Sequence, residues 1–240
     1  MDKIIPPQST PNGASQVSNS LASAVLEALA PCGNSFFSDP GQVLFSTGER
    51  PTRLLILLEG NVKLSIDSED GRTLILEIAG AHELLGLSSV IAGEPYDKNA
   101  TTLTLCRLVS VNAPDFDALL RSSSRISQLA LSELNKCYKR ACSQVQRLGE
   151  PYISVRLARV LLQWARQGRR TERGLRFHIP LNHNEIGEYI GARRETITRL
   201  LSEFQRRGLI EVKGALLTVE DPHLLETIVG FPATGSNDLA

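Results

Sequence analysis

The sequence predicts an α+β chain in three consecutive parts: an N-terminal double-stranded β-roll of jelly-roll type, a long helix, and a C-terminal winged helix-turn-helix. Three observations carry this reading. Between Gln42 and Val111, short apolar runs (VLF, LLILLEG, VKLSI, TLILEIAG, ELLGL, TTLTLCRLVSV) are punctuated by glycines at 48, 60, 71, 80 and 86, the texture of many short antiparallel strands. From Leu131 the apolar positions Leu131, Leu134, Tyr138, Ala141, Val145 and Leu148 alternate three and four residues apart, which is an a/d heptad seam. From Asn182 to Arg207 two amphipathic segments meet at Gly191, and LIEVKGALLTV follows as two β-rich runs around Lys213-Gly214. Helix, turn, helix, hairpin is a winged-helix order.

At 240 residues the chain suits two domains. Its formal net charge is zero, which taken over the whole chain argues against a nucleic-acid binder. The charge is unevenly placed, however: residues 1–150 carry 13 Lys/Arg against 16 Asp/Glu, and residues 156–214 carry 13 against 6. The basic excess coincides with the helical pair, as in a sensor joined to a DNA-binding domain. Cys32, Cys106, Cys137 and Cys142 form no C-x-x-C pair and no metal-ligand spacing with histidine. Cys137 and Cys142 lie five apart on one helix and point in different directions, against a mutual disulfide, so free thiols in a reducing cytosol are expected. No stretch approaches a membrane span and the N-terminus lacks an apolar signal core, so a soluble cytoplasmic protein with no membrane partner is expected. An enzyme is not: there is no nucleophile–base pairing, metal spacing or phosphate loop in its proper context. No metal site and no cofactor are predicted.

Taken in order, residues 1–20 are rich in Ser, Pro, Asn and Gln and are expected to form a disordered tail. A short helix is expected at about Leu21–Ala30, within a sensor roll spanning 21–113, where Glu69-Asp70-Gly71-Arg72 marks a hairpin turn. Residues 114–149 are expected to form one long dimerisation helix, from near Pro114 to near Gly149. Its N-terminal end should pack on the roll, and its seam predicts a parallel coiled-coil homodimer. Gly149 and Pro151 then mark a hinge, and residues 150–230 form the winged domain. In that domain we expect a helix over Ile153 to Gln167, a polar basic loop over Gly168 to Gly174 and a short strand in RFHIPL. Residues 231–240 read as a frayed tail.

The helical pair has explicit punctuation. Asn182 is the expected N-cap, Glu185 closes a capping box, and Leu181 and Ile186 form a hydrophobic staple. Gly191 supplies the left-handed stop. In the second helix Ile197, Leu200, Leu201 and Phe204 fall at i, i+3, i+4, i+7 and make the buried stripe. Arg194, Glu195, Thr198 and Arg199 are left on the outward face near the N-terminal end, where a helix laid in the major groove meets base edges. An ordinary helical hairpin would also expose charge; the following hairpin and the local basic excess favour double-stranded DNA as partner.

The block Gly191 to Arg199, GARRETITR, resembles the recognition helix of the CRP/FNR family of bacterial transcription regulators, whose pattern is R-E-T-V-x-R. The resemblance implies that Arg194 and Arg199 read guanines and that Glu195 accepts from a cytosine amino group. The chemistry agrees, because arginine forks guanine O6 and N7 and a carboxylate suits cytosine N4. Arg193 stands where the family has Ser or Thr, so a cap worth about 1 kcal/mol is lost, and a phosphate contact is expected in exchange. Thr196, Arg206 and Lys213 complete the expected phosphate set. The resemblance also implies an activator that touches RNA polymerase. A homodimer would place two reading helices ~34 Å apart on a near-palindrome.

The roll resembles cyclic-nucleotide-binding domains through Leu57-Leu58-Glu59-Gly60-Asn61-Val62-Lys63-Leu64 and Asp70-Gly71-Arg72. In relatives that respond to cyclic AMP, a Gly-Glu pair holds the ribose and an Arg-Ser pair the phosphate. An anionic phosphate needs a cation or several N–H groups, and a ribose hydroxyl wants a carboxylate. The corresponding effector pocket here is Gly86, Leu87, Ser88, Asn99 and Ala100. Leu87 replaces the glutamate and Asn99-Ala100 the Arg-Ser pair, although a one-residue slip would bring in Lys98. Cyclic AMP is therefore not the expected effector. An iron–sulfur cluster needs clustered cysteines, and Cys32 is alone in its region. Haem would need His82, a lone loop histidine of a kind far more often found as a surface group. Thiol oxidation could use Cys106, Cys137 or Cys142, the last two beside Lys136, Lys139 and Arg140. An apolar small molecule, or no effector, stays open. The competing reading is a cyclic-nucleotide-type module that binds protein rather than DNA.

Overall fold

A computed structural model of the protein describes residues 20–29, 35–179 and 181–230. Cys32, the C-terminal tail and all of the N-terminal tail except Ser20 lie outside the described residues. The chain divides into two compact units, Met1–Ser143 and Gln144–Ala240.

The first unit runs α1 (Leu21–Leu29), β1 (Ser35–Ser38), β2 (Val43–Phe45), β3 (Arg53–Glu59), β4 (Val62–Asp67), β5 (Thr73–Ala79), β6 (Leu84–Leu85), α2 (Leu87–Ala92), β7 (Asn99–Thr102), β8 (Cys106–Asn112) and α3 (Ala113–Ser122). Helix α4 (Ser124–Gly149) follows. The strands form two four-stranded antiparallel sheets, ordered β1-β8-β3-β6 and β2-β7-β4-β5. Four consecutive residues of β3, Leu54 to Leu57, are fully buried because that strand is covered on both faces. Leu55 and Leu57 meet Val62, Leu64, Ala100 and Leu108 in one core cluster. Leu54 and Ile56 meet Leu21 and Val25 of α1, Phe116 of α3 and Ile126 and Ala130 of α4 in another. The expected turn closes the β4–β5 hairpin, with Gly71 at φ 77° and the Ser68 N–H donating to the Arg72 carbonyl at 2.8 Å.

Four expectations are corrected in this unit. The helix from Pro114 to Gly149 is two helices, broken at Ser123, which is extended (φ −132°, ψ 107°). Residues 122–124 are all serine, and serine side chains compete for helix backbone groups. Here Ser122 Oγ donates to the Leu119 carbonyl at 3.3 Å and Ser123 Oγ accepts from the Ile126 N–H at 3.4 Å. The run TTLTLCRLVSV is two strands, because Thr104 Oγ1 accepts from the Asn61 N–H at 2.9 Å and Leu103 N–H donates to Asn61 O at 2.8 Å, turning the chain. Strand β1 precedes the predicted β region. Leu134 leaves the seam to pack against the roll core. The remaining seam positions Leu131, Tyr138, Ala141 and Val145 are exposed, and Leu148 is half-buried.

The second unit contains the last turns of α4, then α5 (Ile153–Ala165), β9 (Arg169–Thr171), β10 (Gly174–His178), α6 (His183–Ile190), α7 (Arg194–Arg206), β11 (Ile210–Lys213), β12 (Leu216–Val219) and α8 (Pro222–Gly230). Its sheet is ordered β11-β12-β10-β9. The segment expected as a polar loop at Gly168–Gly174 holds β9 and its turn, with Arg169 paired to Arg176 and Arg170 to Leu175. Phe177, Leu217 and Val219 are buried on the face that packs against α5, itself buried at Val155, Leu157, Ala158, Val160 and Leu161. The hairpin expected around Lys213-Gly214 is β11–β12.

Candidate nucleic-acid interface

Helix α6 begins as its residues dictate. The Asn182 side chain accepts from the N–H groups of Asn184 and Glu185, both at 3.0 Å, while Glu185 Oε2 accepts from Asn182 N–H at 3.1 Å. Leu181 and Ile186, the predicted staple pair, are both buried. The helix ends at Gly191 in the left-handed region, φ 70°, where a side chain is strained. Gly187 allows a close turn: a β-carbon there would lie 2.5 Å from the Ala192 carbonyl oxygen.

The carbonyls at the end of α6 lack helical partners and are taken by side chains that sequence reasoning missed. Gln144 Nε2 donates to Tyr189 O at 2.9 Å, and Arg156 Nη1 donates to Ile190 O at 3.0 Å. Arg147 lies over the Tyr189 ring at 4.2 Å, and Trp164 stacks on its plane at 5.8 Å. These contacts link positions up to 45 residues apart, beyond any local periodicity.

Helix α7 buries Ile197, Leu200, Leu201 and Phe204 and exposes Arg194, Glu195, Thr198 and Arg199. The structure thus brings the four predicted base-reading residues onto one open face. Thr198 is also engaged within the protein: its hydroxyl donates to Arg194 O at 3.0 Å and lies 3.0 Å from His183 Nδ1. Arg193 is the N-cap residue and makes no side-chain cap. Among the predicted phosphate residues, Arg193, Arg206 and Lys213 are exposed and Thr196 is half-buried. Lys213 lies on the wing, 2.5 Å from Glu211.

In the first unit, Gly86, Leu87 and Ser88 line a cavity of ≈ 20 Å³ together with Glu77, Glu83, Lys98 and Arg140. That is room for about one water molecule. Asn99 and Ala100 do not line it. The Asn99 amide donates to Asp67 at 2.9 Å and its oxygen accepts from Thr47 N–H, while Ala100 belongs to the core. Arg140 of α4 fills the polar side, with Nε 2.7 Å from Glu77, Nη1 3.0 Å from Glu83 and Nη2 3.6 Å from Glu133. Burial pushes the carboxyls of Glu77 and Glu83 up, opposed by the Arg140 charge. A cyclic phosphate would meet those carboxylates with Arg140 already committed to them, and Lys98 pairs with Asp97 at 3.5 Å. The residues present do not fit an anionic nucleotide.

Cys106 is buried, its thiol 3.3 Å from the carbonyls of Asn61 and Thr104 and pushed up by burial, the reverse of an activated thiolate. Cys137 and Cys142 are half-buried free thiols, and Arg140 Nη2 lies 3.4 Å from Cys137 Sγ. His82 is an exposed loop residue at φ 69°.

Residues 155–228 match the Crp-like helix-turn-helix domain and residues 37–123 the cyclic nucleotide-binding domain. The CRP-like cAMP-activated global transcriptional regulator of Mycobacterium tuberculosis is 31% identical over 186 residues, covering 77% of this chain and 83% of that protein. The chain belongs to the CRP/FNR family of transcription regulators. Another relative, the global nitrogen regulator of Synechocystis sp., is 27% identical over 199 residues, 82% of this chain and 88% of its own. Among solved structures, FixK2 from Bradyrhizobium japonicum has the same fold at a TM-score of 0.73 and 18% identity, covering 85% of this chain and 99% of that one. As in the CRP/FNR family generally, the DNA-binding part is the helix-turn-helix, here α6 and α7. No described helix is long and apolar enough to cross a membrane.

Proposed function

We propose that this chain is a cytoplasmic, homodimeric transcription activator that reads a near-palindromic operator with paired α7 helices. The carrying observation is that Arg194, Glu195 and Arg199 share the open face opposite the buried stripe. Two arginines suit guanine and one carboxylate suits cytosine. Thr198, tied to His183, braces the reading helix against α6 as well as facing outward. Arg193, Thr196, Arg206 and Lys213 hold phosphates and make binding steeply salt-dependent. The exposed seam residues Leu131, Tyr138, Ala141 and Val145 support a parallel pairing of α4 with its copy. Contact with RNA polymerase follows from the family.

The effector is not cyclic AMP in its usual mode. The relative from Mycobacterium tuberculosis is named as cAMP-activated, whereas the present cavity holds Leu87, Glu77, Glu83 and Arg140. Cyclic AMP is expected to leave the melting temperature unmoved. A ligand at one hundred times its dissociation constant stabilises by about 2.7 kcal/mol, so a clear upward shift at micromolar cyclic AMP would overturn this reading.

The function is tested by selecting binding sites from random-sequence duplex DNA, with and without cell extract. Enrichment of a guanine-containing inverted repeat supports the assignment, and dependence on extract reveals a diffusible effector. On the selected operator, Arg199→Ala is expected to cost ~1–3 kcal/mol while binding to unrelated DNA changes little. Equal losses on both would contradict base reading.

A further inference from the structure

We propose that Arg140 is a built-in ligand: its guanidinium occupies the effector cavity of the roll, holds α4 as a bound effector would, and lets the regulator read its operator with no diffusible effector. This inference rests on the function proposed above and names how that function is regulated.

The cavity calls for a cation. Glu77 comes from β5, Glu83 from the loop between β5 and β6, and the buried Glu133 from α4. Three carboxylates drawn together out of water need a counter-charge. Burial pushes the Glu77 and Glu83 carboxyls up, and in each the largest opposing influence is the Arg140 charge. A planar fork of five donors can face all three carboxylates at once, which a lysine ammonium cannot do. Nε faces Glu77, Nη1 faces Glu83, and Nη2 lies between Glu133 Oε1 and the Cys137 thiol. The remaining oxygens are also engaged: Lys136 lies 2.9 Å from Glu133 Oε2, and the Gly80 N–H donates to Glu83 Oε2 at 3.0 Å. Gly86, Leu87 and Ser88, the positions that match the family's effector pocket, line the same cavity. Its ≈ 20 Å³ holds about one water molecule, so no second guanidinium fits beside Arg140.

The place of Arg140 on α4 gives the link its consequence. Gln144 lies one turn further along, so the two side chains leave the same face of the helix. In the first unit Arg140 ties α4 to β5 and to the β5–β6 loop. In the second unit Gln144 ties the last turns of α4 to the end of α6 through Tyr189 O. A ligand shifts an equilibrium only by favouring one state. One attached to the chain does so at all times, at a high effective concentration that no dilution lowers. The grip on α4 is therefore permanent, and operator binding needs nothing added.

The test titrates the selected operator with purified protein, free of extract. The wild-type protein should bind it, and millimolar methylguanidinium should leave that affinity unmoved. Arg140→Ala should bind the operator about 5–150-fold more weakly, the usual range of coupling between two sites, with binding to unrelated DNA unchanged. Methylguanidinium should then restore operator binding saturably, which makes the variant dependent on an added cation that the wild type ignores. Glu77→Gln/Glu83→Gln/Arg140→Met removes the charges together; it should melt near the wild type and still bind the operator weakly. A purely structural ion cluster predicts the opposite, a triple variant as tight as the wild type. That result overturns the inference, as do wild-type dependence on extract, undiminished binding by Arg140→Ala, or failure of methylguanidinium to strengthen it. Each leaves the assignment of α7 standing. Should Arg140→Ala be unfolded at the assay temperature, the triple variant decides. If the wild-type protein selects no operator even with extract, both readings fall.

Discussion

Glutamate at both Leu131 and Val145 is expected to yield a folded monomer that no longer holds its operator. In the single chain these side chains are 67% and 70% exposed, so their replacement removes little from either core. In a parallel coiled coil each a/d side chain meets its own counterpart, and four carboxylates would then be desolvated against one another. Operator affinity should fall about 10²–10⁴-fold, because the second half-site would no longer be bound intramolecularly. Sedimentation and operator titration check both parts. An unchanged dimer mass would sink the seam argument. Leu134 is unsuitable for this test despite its heptad position: it packs against the roll with Leu54 and Phe116, so a charge there would damage the monomer itself.

Arg140→Met should destabilise the protein by about 2–3 kcal/mol near pH 7 and have little effect near pH 4.5. Removing one partner of a buried ion pair costs ~3–5 kcal/mol, discounted here to about 2–3 kcal/mol for solvent screening because Arg140 is 32% exposed. Glu77 and Glu83 are already raised above the ordinary 4.5 by burial, and Arg140 opposes that rise. Without the guanidinium both rise further. A carboxyl whose folded pKa is raised binds more protons when folded, so its contribution is present below the unfolded pKa and is lost as pH climbs through the folded one. The deficit of the variant must therefore widen between pH 4.5 and neutrality. At ~2–4 °C per kcal/mol for a chain of this size, melting should drop about 5–10 °C at pH 7. A deficit equal at both pH values would refute the charge argument, and Glu77→Gln/Glu83→Gln in the same background should restore most of the loss.

The residues that announced themselves in the sequence are those governed by local rules. The Asn182–Glu185 box, the Gly191 stop and the Ile197–Phe204 stripe are each legible from a short local stretch of sequence, and each stands where expected. Elements whose conformation is set by pairing, or by side chains competing for the backbone, did not announce themselves. Strand β9 is Arg-Arg-Thr, which has almost no strand signal; pairing with β10 imposes its conformation. The break at Ser123 reflects serine hydroxyls, those of Ser122 and Ser123, that compete with the helix for backbone groups. The cavity could be read only in part. Leu87 at the glutamate position was visible, whereas Arg140 reaches Glu77 and Glu83 across more than fifty residues of sequence, and nothing local marks that meeting. Gln144 and Arg156, which close the end of α6, were missed for the same reason.

The uncapped start of α7 has a consequence for how binding and folding share their energy. Arg193 offers no oxygen to the leading amides of the helix, and a missing cap costs about 1 kcal/mol in the free protein. A phosphate is an acceptor of the kind those amides lack, and the positive end of the helix favours it. Under the proposed function the DNA therefore stands in for the absent residue. The first turn of the reading helix reaches its full stability only in the complex, and some of the operator's affinity is helix stability withheld from the unbound state.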